Sequence, residues 1–217
     1  MTVSAPSPRQ RLSPAERRKR LLEIGLELFG ESSFDQLSTD EIAEKAGVSR
    51  ALLFHYFGSK RGYYVAVIQE AASRLLDRSQ AVHGSEVEGD PQRDQLDVFL
   101  AFVEENAGLY TLLMQSGVGV DRQIQGIVDE TRGELARRVA PGSAALSDLG
   151  PEAEDGALAG RLGLVAWIGA VEAVAVEWAD QRRRGSGTLD RRGLAELLIQ
   201  MLPPALRSIP EPQEEKP

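Results

Sequence analysis

Residues 38–60, STDEIAEKAGVSRALLFHYFGSK, spell two short helices joined by a tight turn. Ser38 and Glu41 stand three apart as a capping box, the hydroxyl and the carboxylate each serving an orphan amide at a helix start. Ile42, Ala43 and Ala46 give the first helix an apolar face of small residues, so a neighbouring helix can approach closely. Gly47 falls where a left-handed residue ends a helix. Val48 returns to the core, and Ser49 is a ready N-cap for a second helix that reaches about Phe57. Helix, glycine turn, helix is the arrangement whose second member enters the major groove of DNA. Ser59 then caps a further helix, with Lys60 at its mouth.

On either side of this stretch the apolar spacing stays helical, and no alternating, strand-like segment carries conviction. Ser13-Pro14-x-Glu16 opens a helix, with Ser as N-cap and Pro at the first helical position. Leu21, Ile24 and Leu28 form one stripe, Leu22, Leu26 and Phe29 another beside it, and Phe34 and Leu37 plug the small core. The spacing predicts helices at about 14–31, 39–46 and 50–57, then 60–83, 91–105, 107–116, 121–139, 153–183 and 189–207. Gly/Pro/Ser-rich breakers separate the later ones. The fold class is all-α: a three-helix helix-turn-helix unit over 13–59 and a larger helical domain over 60–207. Residues 1–12 read as a disordered basic arm and 208–217 as a disordered tail.

A net charge of −8 over 217 residues speaks against DNA only if the charge is spread evenly, and it is not. Residues 9–61 carry ten Lys/Arg against eight acids, a surplus of two, whereas the remainder carries fifteen against twenty-five. Such asymmetry points to nucleic acid at one end, and the acidic body repels misplaced phosphate. The absence of Cys excludes disulfides and thiol catalysis and fits a cytoplasmic protein. No apolar run is expected to reach the ~18–20 residues of a bilayer span, because Glu172 and Glu177 interrupt Leu162–Trp178. With two isolated histidines, no phosphate-binding glycine loop and no convincing carboxylate pair, the chain does not read as an enzyme, and no cofactor or metal is expected.

With these residues in place, Arg18–Val67, and above all HYF-x-SK four residues beyond AGVSR, resembles the tetracycline-repressor (TetR) family of bacterial regulators. The resemblance implies an operator-binding homodimer, usually a repressor, released when a small molecule binds the C-terminal domain. It implies that Thr39 binds phosphate at a helix N-terminus, and that Ser49, Arg50, Ala51 and Leu52 face the groove floor. It further implies that His55, Tyr56 and Lys60 contact backbone phosphates, with Leu53 and Phe57 in the core. Phe54 replaces a common Tyr, Leu52 a small or hydroxyl residue, Gly62 an acidic one and Ser33 a frequent Gly.

Physical reasoning adds roles. The planar fork of Arg50 matches guanine O6 and N7 together, which makes it the candidate for base readout. The run Arg17–Arg20, with Arg9 and Arg11, is poorly placed for the helix dipole and suits phosphate. Arg182–Arg184 complement a helix C-terminus. Leu162, Val165, Ile168, Val171, Val174, Leu194, Leu197, Leu198 and Met201, on two long apolar helices, are the candidate dimer interface. Phe99, Phe102, Tyr110, Leu113, Met114 and Trp167, with Asn106 or Gln115 as polar anchors, are the candidate lining of a pocket for a largely apolar effector. A helical interaction module without DNA binding, or an activator of the same fold, is the rival reading.

Overall fold

The computed structural model describes residues 13–31, 37–83, 90–115, 121–139 and 155–202. Among these, every regular element is an α-helix: α1 (Pro14–Glu31), α2 (Thr39–Lys45), α3 (Arg50–Phe57), α4 (Lys60–His83), α5 (Pro91–Glu105), α6 (Ala107–Gln115), α7 (Arg122–Val139), α8 (Asp155–Arg183) and α9 (Arg191–Met201). Phe34, the segments 1–12 and 208–217, and the side chains of Met114 and Gln115 lie outside the described residues.

Short-range hydrogen bonds start the helices. The Ser13 hydroxyl accepts from the Glu16 amide at 3.2 Å, while the Ser13 amide donates to Glu16 Oε2 at 2.7 Å. The same reciprocal pair joins Ser38 and Glu41. Asp90 accepts from the Gln92 amide before Pro91, and Asp190 from the Gly193 amide. α1 buries Leu21, Leu22, Ile24, Leu28 and Phe29, the stripes expected of it. It meets α4 closely at Gly25, where a Cβ would run into Val67 Cγ2 and lie 2.8 Å from the Tyr63 hydroxyl. That hydroxyl donates to the Leu21 carbonyl at 2.7 Å, and burial pushes the phenol well above its ordinary pKa.

α5 is the axis of the larger domain, packing against α4, α6, α7, α8 and α9. It therefore buries most of its circumference, including Gln92 and Gln95. Buried amides need partners. Gln92 Nε2 donates to the Val139 carbonyl at 2.6 Å, and Gln95 both accepts from the Ser79 hydroxyl at 2.5 Å and donates to its carbonyl at 2.9 Å. Trp167 and Trp178 of α8 each donate an indole N–H at 2.9 Å, to the carbonyls of Leu198 and Leu189. α9 is thereby fixed on α8.

Three expectations are corrected. α9 stops at Met201 rather than running to 207, because Leu202 precedes Pro203 and is extended (φ −61°, ψ 131°). Gly160–Arg183 is long and apolar enough to cross a membrane by length and composition, contrary to the expectation that no apolar run reaches a span. Its Trp167, Val171, Ala175 and Trp178 are instead in the protein core, and Glu172 is ion-paired. Finally, Val171, Leu194 and Leu198 are buried inside the protomer itself and are not free to meet a second copy.

Candidate nucleic-acid interface and effector cavity

α3 is held from behind and left open in front. The Ser49 hydroxyl caps it by accepting the Leu52 amide at 3.2 Å, Leu53 is buried, and Phe57 is half-buried against Tyr63. The Arg18 guanidinium lies 5.4 Å from the Phe57 ring centre and ties α1 to this helix. Gly47 and Gly58 adopt φ of 63° and 74°, so both bends beside α3 use a conformation that favours glycine. Gly62 has a separate necessity: a Cβ there would collide with the Phe57 carbonyl oxygen. An acidic side chain at that position would force the turn open.

The side chains assigned to DNA from the sequence are all at least partly open to solvent. Ser49, Arg50, Ala51 and His55 are exposed, while Leu52 and Tyr56 are half-buried. Thr39 begins α2 and Lys60 begins α4, both half-buried. Arg50 Nη1 sits 3.5 Å from Asp40 Oδ2, with 57% of its side chain exposed, and its guanidinium lies 5.3 Å from the Phe54 ring centre. A pair this exposed is weak, so the fork is steadied rather than locked. The Phe54 ring supplies a platform for Arg50, as the ring of a Tyr there would.

In the larger domain, α4, α5, α6, α7 and α8 line a half-open cavity of about 100 Å³. Phe99, Phe102, Tyr110, Leu113 and Trp167 line it as anticipated. Asn106 does not; it is the C-cap of α5, and its side-chain amide donates to the Phe102 carbonyl at 2.9 Å. Ile168 and Val171, assigned from the sequence to a dimer face, line the cavity instead. The polar anchors that sequence reading missed are Arg132 and Glu172. Arg132 Nε and Nη2 donate to the two Glu172 oxygens at 2.6 and 2.9 Å, and the Tyr110 hydroxyl donates to Oε1 at 3.2 Å. Burial, then the Glu172 charge, pushes the Tyr110 phenol well above its ordinary pKa. A carboxylate in the middle of an apolar helix was the available signal, since such a group is kept only where it is paired.

A second ion pair joins the two regions. Arg61, one residue into α4, donates through Nε and Nη2 to both oxygens of Asp121 at 2.7 and 2.8 Å. Asp121 in turn accepts the amides of Gln123 and Ile124 at the start of α7. Hydrogen bonds from Arg61, and then from those amides, hold the Asp121 carboxyl below its usual pKa.

Residues 21–67 match the family model described as bacterial regulatory proteins, tetR family. Residues 92–203, just over half of the chain, match the model described as the tetracyclin repressor-like C-terminal domain. The chain belongs to the tetR family. Its relatives include the HTH-type transcriptional activator FasR of Mycolicibacterium smegmatis, 30% identical over 115 residues that make up 52% of each chain. Another is the nucleoid occlusion factor SlmA of Haemophilus influenzae, 33% identical over 100 residues, or 45% of this chain and 46% of the relative. The chain spans about half the length of these curated relatives. A tetR-family regulator from Streptomyces coelicolor has a similar structure, with a TM-score of 0.65 and 29% identity over 88% of this chain and 80% of the other.

Proposed function

We propose that this tetR-family chain is a transcriptional regulator, a repressor acting in the cytoplasm. It binds palindromic double-stranded DNA as a homodimer and lets go when a small, largely apolar effector fills the cavity. The observation that carries this reading is the exposed rim of α3 around Arg50, backed by a buried core and bent at glycines on either side. Thr39, His55, Tyr56 and Lys60 would hold phosphates, while Ser49, Arg50, Ala51 and Leu52 would meet the bases.

The dimer would form on the face of α8 and α9 that the protomer leaves uncovered. Leu162, Val165, Leu197 and Met201 are 60, 61, 45 and 48% exposed, and Val174 on the same helix as the first two is half-buried. Gly169 on the same helix has nothing within 4 Å of an added Cβ, leaving room for close approach. Pairing there would give two reading heads for half-sites ~34–36 Å apart or a multiple of that.

Selection of bound duplexes from a random pool tests the reading. The expected outcome is an inverted repeat whose binding weakens in Val165→Glu, with the variant running as a monomer in sedimentation. Enrichment of no sequence by the folded protein would defeat it. An activator is the second reading, motivated by the description of FasR as a transcriptional activator. Reporter expression that falls when the gene is deleted would select it.

A further inference from the structure

The polar end of the cavity is built around a carboxylate, Glu172, whose neighbours point their hydrogens at it or at the backbone. Its hydroxyl hydrogens are already spent: Tyr110 donates to Glu172, and Thr131 donates to the Ile127 carbonyl at 2.7 Å. Gln95 is tied to Ser79 in both directions. Arg132 turns its fork on Glu172 and its remaining amino group, Nη1, to Asp129 at 3.2 Å. Spare acceptor capacity sits beside that fork. A carboxylate has about four lone-pair positions, and among the described residues Glu172 receives three hydrogen bonds, two on Oε1 and one on Oε2. The oxygens of Tyr110 and Thr131 each accept as well as donate. Charge points the same way, because Arg132 faces two carboxylates, Glu172 and Asp129. An incoming anion would meet a buried negative charge or have to pull Arg132 away from it, and an uncompensated buried charge is strongly disfavoured.

We infer that the cavity takes an apolar molecule carrying a hydrogen-bond donor, a hydroxyl or a protonated amine, and turns away carboxylates. This rests on the reading of the cavity as an effector site. Tyr110, Arg132 and Glu172 are the specificity-determining residues, and the aromatic and aliphatic walls hold the rest of the molecule.

Three eight-carbon probes, 1-octanol, octylamine and octanoate, compared by calorimetry on the full chain at neutral pH test this. The two donors bind, and octanoate binds more than about tenfold more weakly, a difference that one unfavourable buried charge readily produces. Glu172→Gln, which keeps the shape and releases Arg132, strengthens octanoate and weakens octylamine. Octanoate within tenfold of octanol in the natural protein, or no binding by any of the three, overturns the assignment. The natural-protein ranking decides the matter even where the variant does not fold. Release of the selected duplex is followed separately by fluorescence anisotropy. A donor that binds and leaves the DNA in place retires the effector reading alone, whereas octanoate that binds within tenfold of octanol and releases DNA retires this inference alone.

Discussion

Arg50 is steadied by Asp40 on one side and by the Phe54 ring on the other, and neither partner buries it. Arg50→Ala is therefore expected to leave the denaturation midpoint nearly unchanged. It should cost about 1–3 kcal/mol of discrimination at one base position, read as relaxed preference when duplex selection is repeated. Glu41 carries a different kind of prediction. Hydrogen bonds from the Ser38 amide and then its hydroxyl hold this carboxyl below its ordinary value of 4.5. A depressed pKa stabilises the fold above the unfolded value, and that contribution disappears as pH falls through the folded value. The stability difference between the natural chain and Glu41→Gln, followed by urea denaturation, should thus be full at pH 6 and vanish in stronger acid. Single residues were unevenly legible. Ser38, Glu41, Gly47 and Ser49 act within a few positions of themselves, so their spacing disclosed their work. Asn106 was misread because a side chain at a helix end serves its own helix before it serves a cavity.

The α3–α4 corner shows how an element depends on a missing atom. Gly58 takes a positive φ, and Gly62 leaves the Phe57 carbonyl its space. Gly62→Ala should destabilise the chain by about 1–3 kcal/mol, as overpacking does, and should shift α3 relative to α4. Chemical denaturation and operator affinity would both register the change, whereas an alanine at Gly126, inside α7 with nothing within 4 Å of its Cβ, should raise stability by about 0.5–1 kcal/mol and leave operator affinity alone. Helix starts were readable because caps are local. The end of α9 was overrun because its apolar spacing continues past Leu202 and outweighed the Pro203 stop in the reading. α8 was readable as a helix but not in the use of its faces: one faces the core, one the cavity and one the solvent, and all three carry apolar side chains.

Across the molecule, the cavity reaches the reading head by two routes, α7 against α4 and α6 against α1. The first ends in the Arg61–Asp121 pair, which joins the start of α4 to the start of α7. The Arg61 side chain is more than half exposed, so Arg61→Ala should still fold, at a small cost in stability. It should nevertheless narrow severalfold the loss of operator affinity caused by a releasing compound, because less of the binding energy at α7 reaches α4. Titrating labelled operator with and without that compound measures the difference. The all-α class, the capped two-helix reader and the contrast between a basic end and an acidic body could be read directly from the chain. Each depends on residues close together in the sequence, where hydrogen-bond geometry and helical periodicity act. The partnership of Arg132, Glu172 and Tyr110, the burial of Val171, Leu194 and Leu198 and the tie from Arg61 to Asp121 could not. Those depend on which helix lies beside which, and apolar stripes of similar width do not specify their neighbours until the whole core is packed.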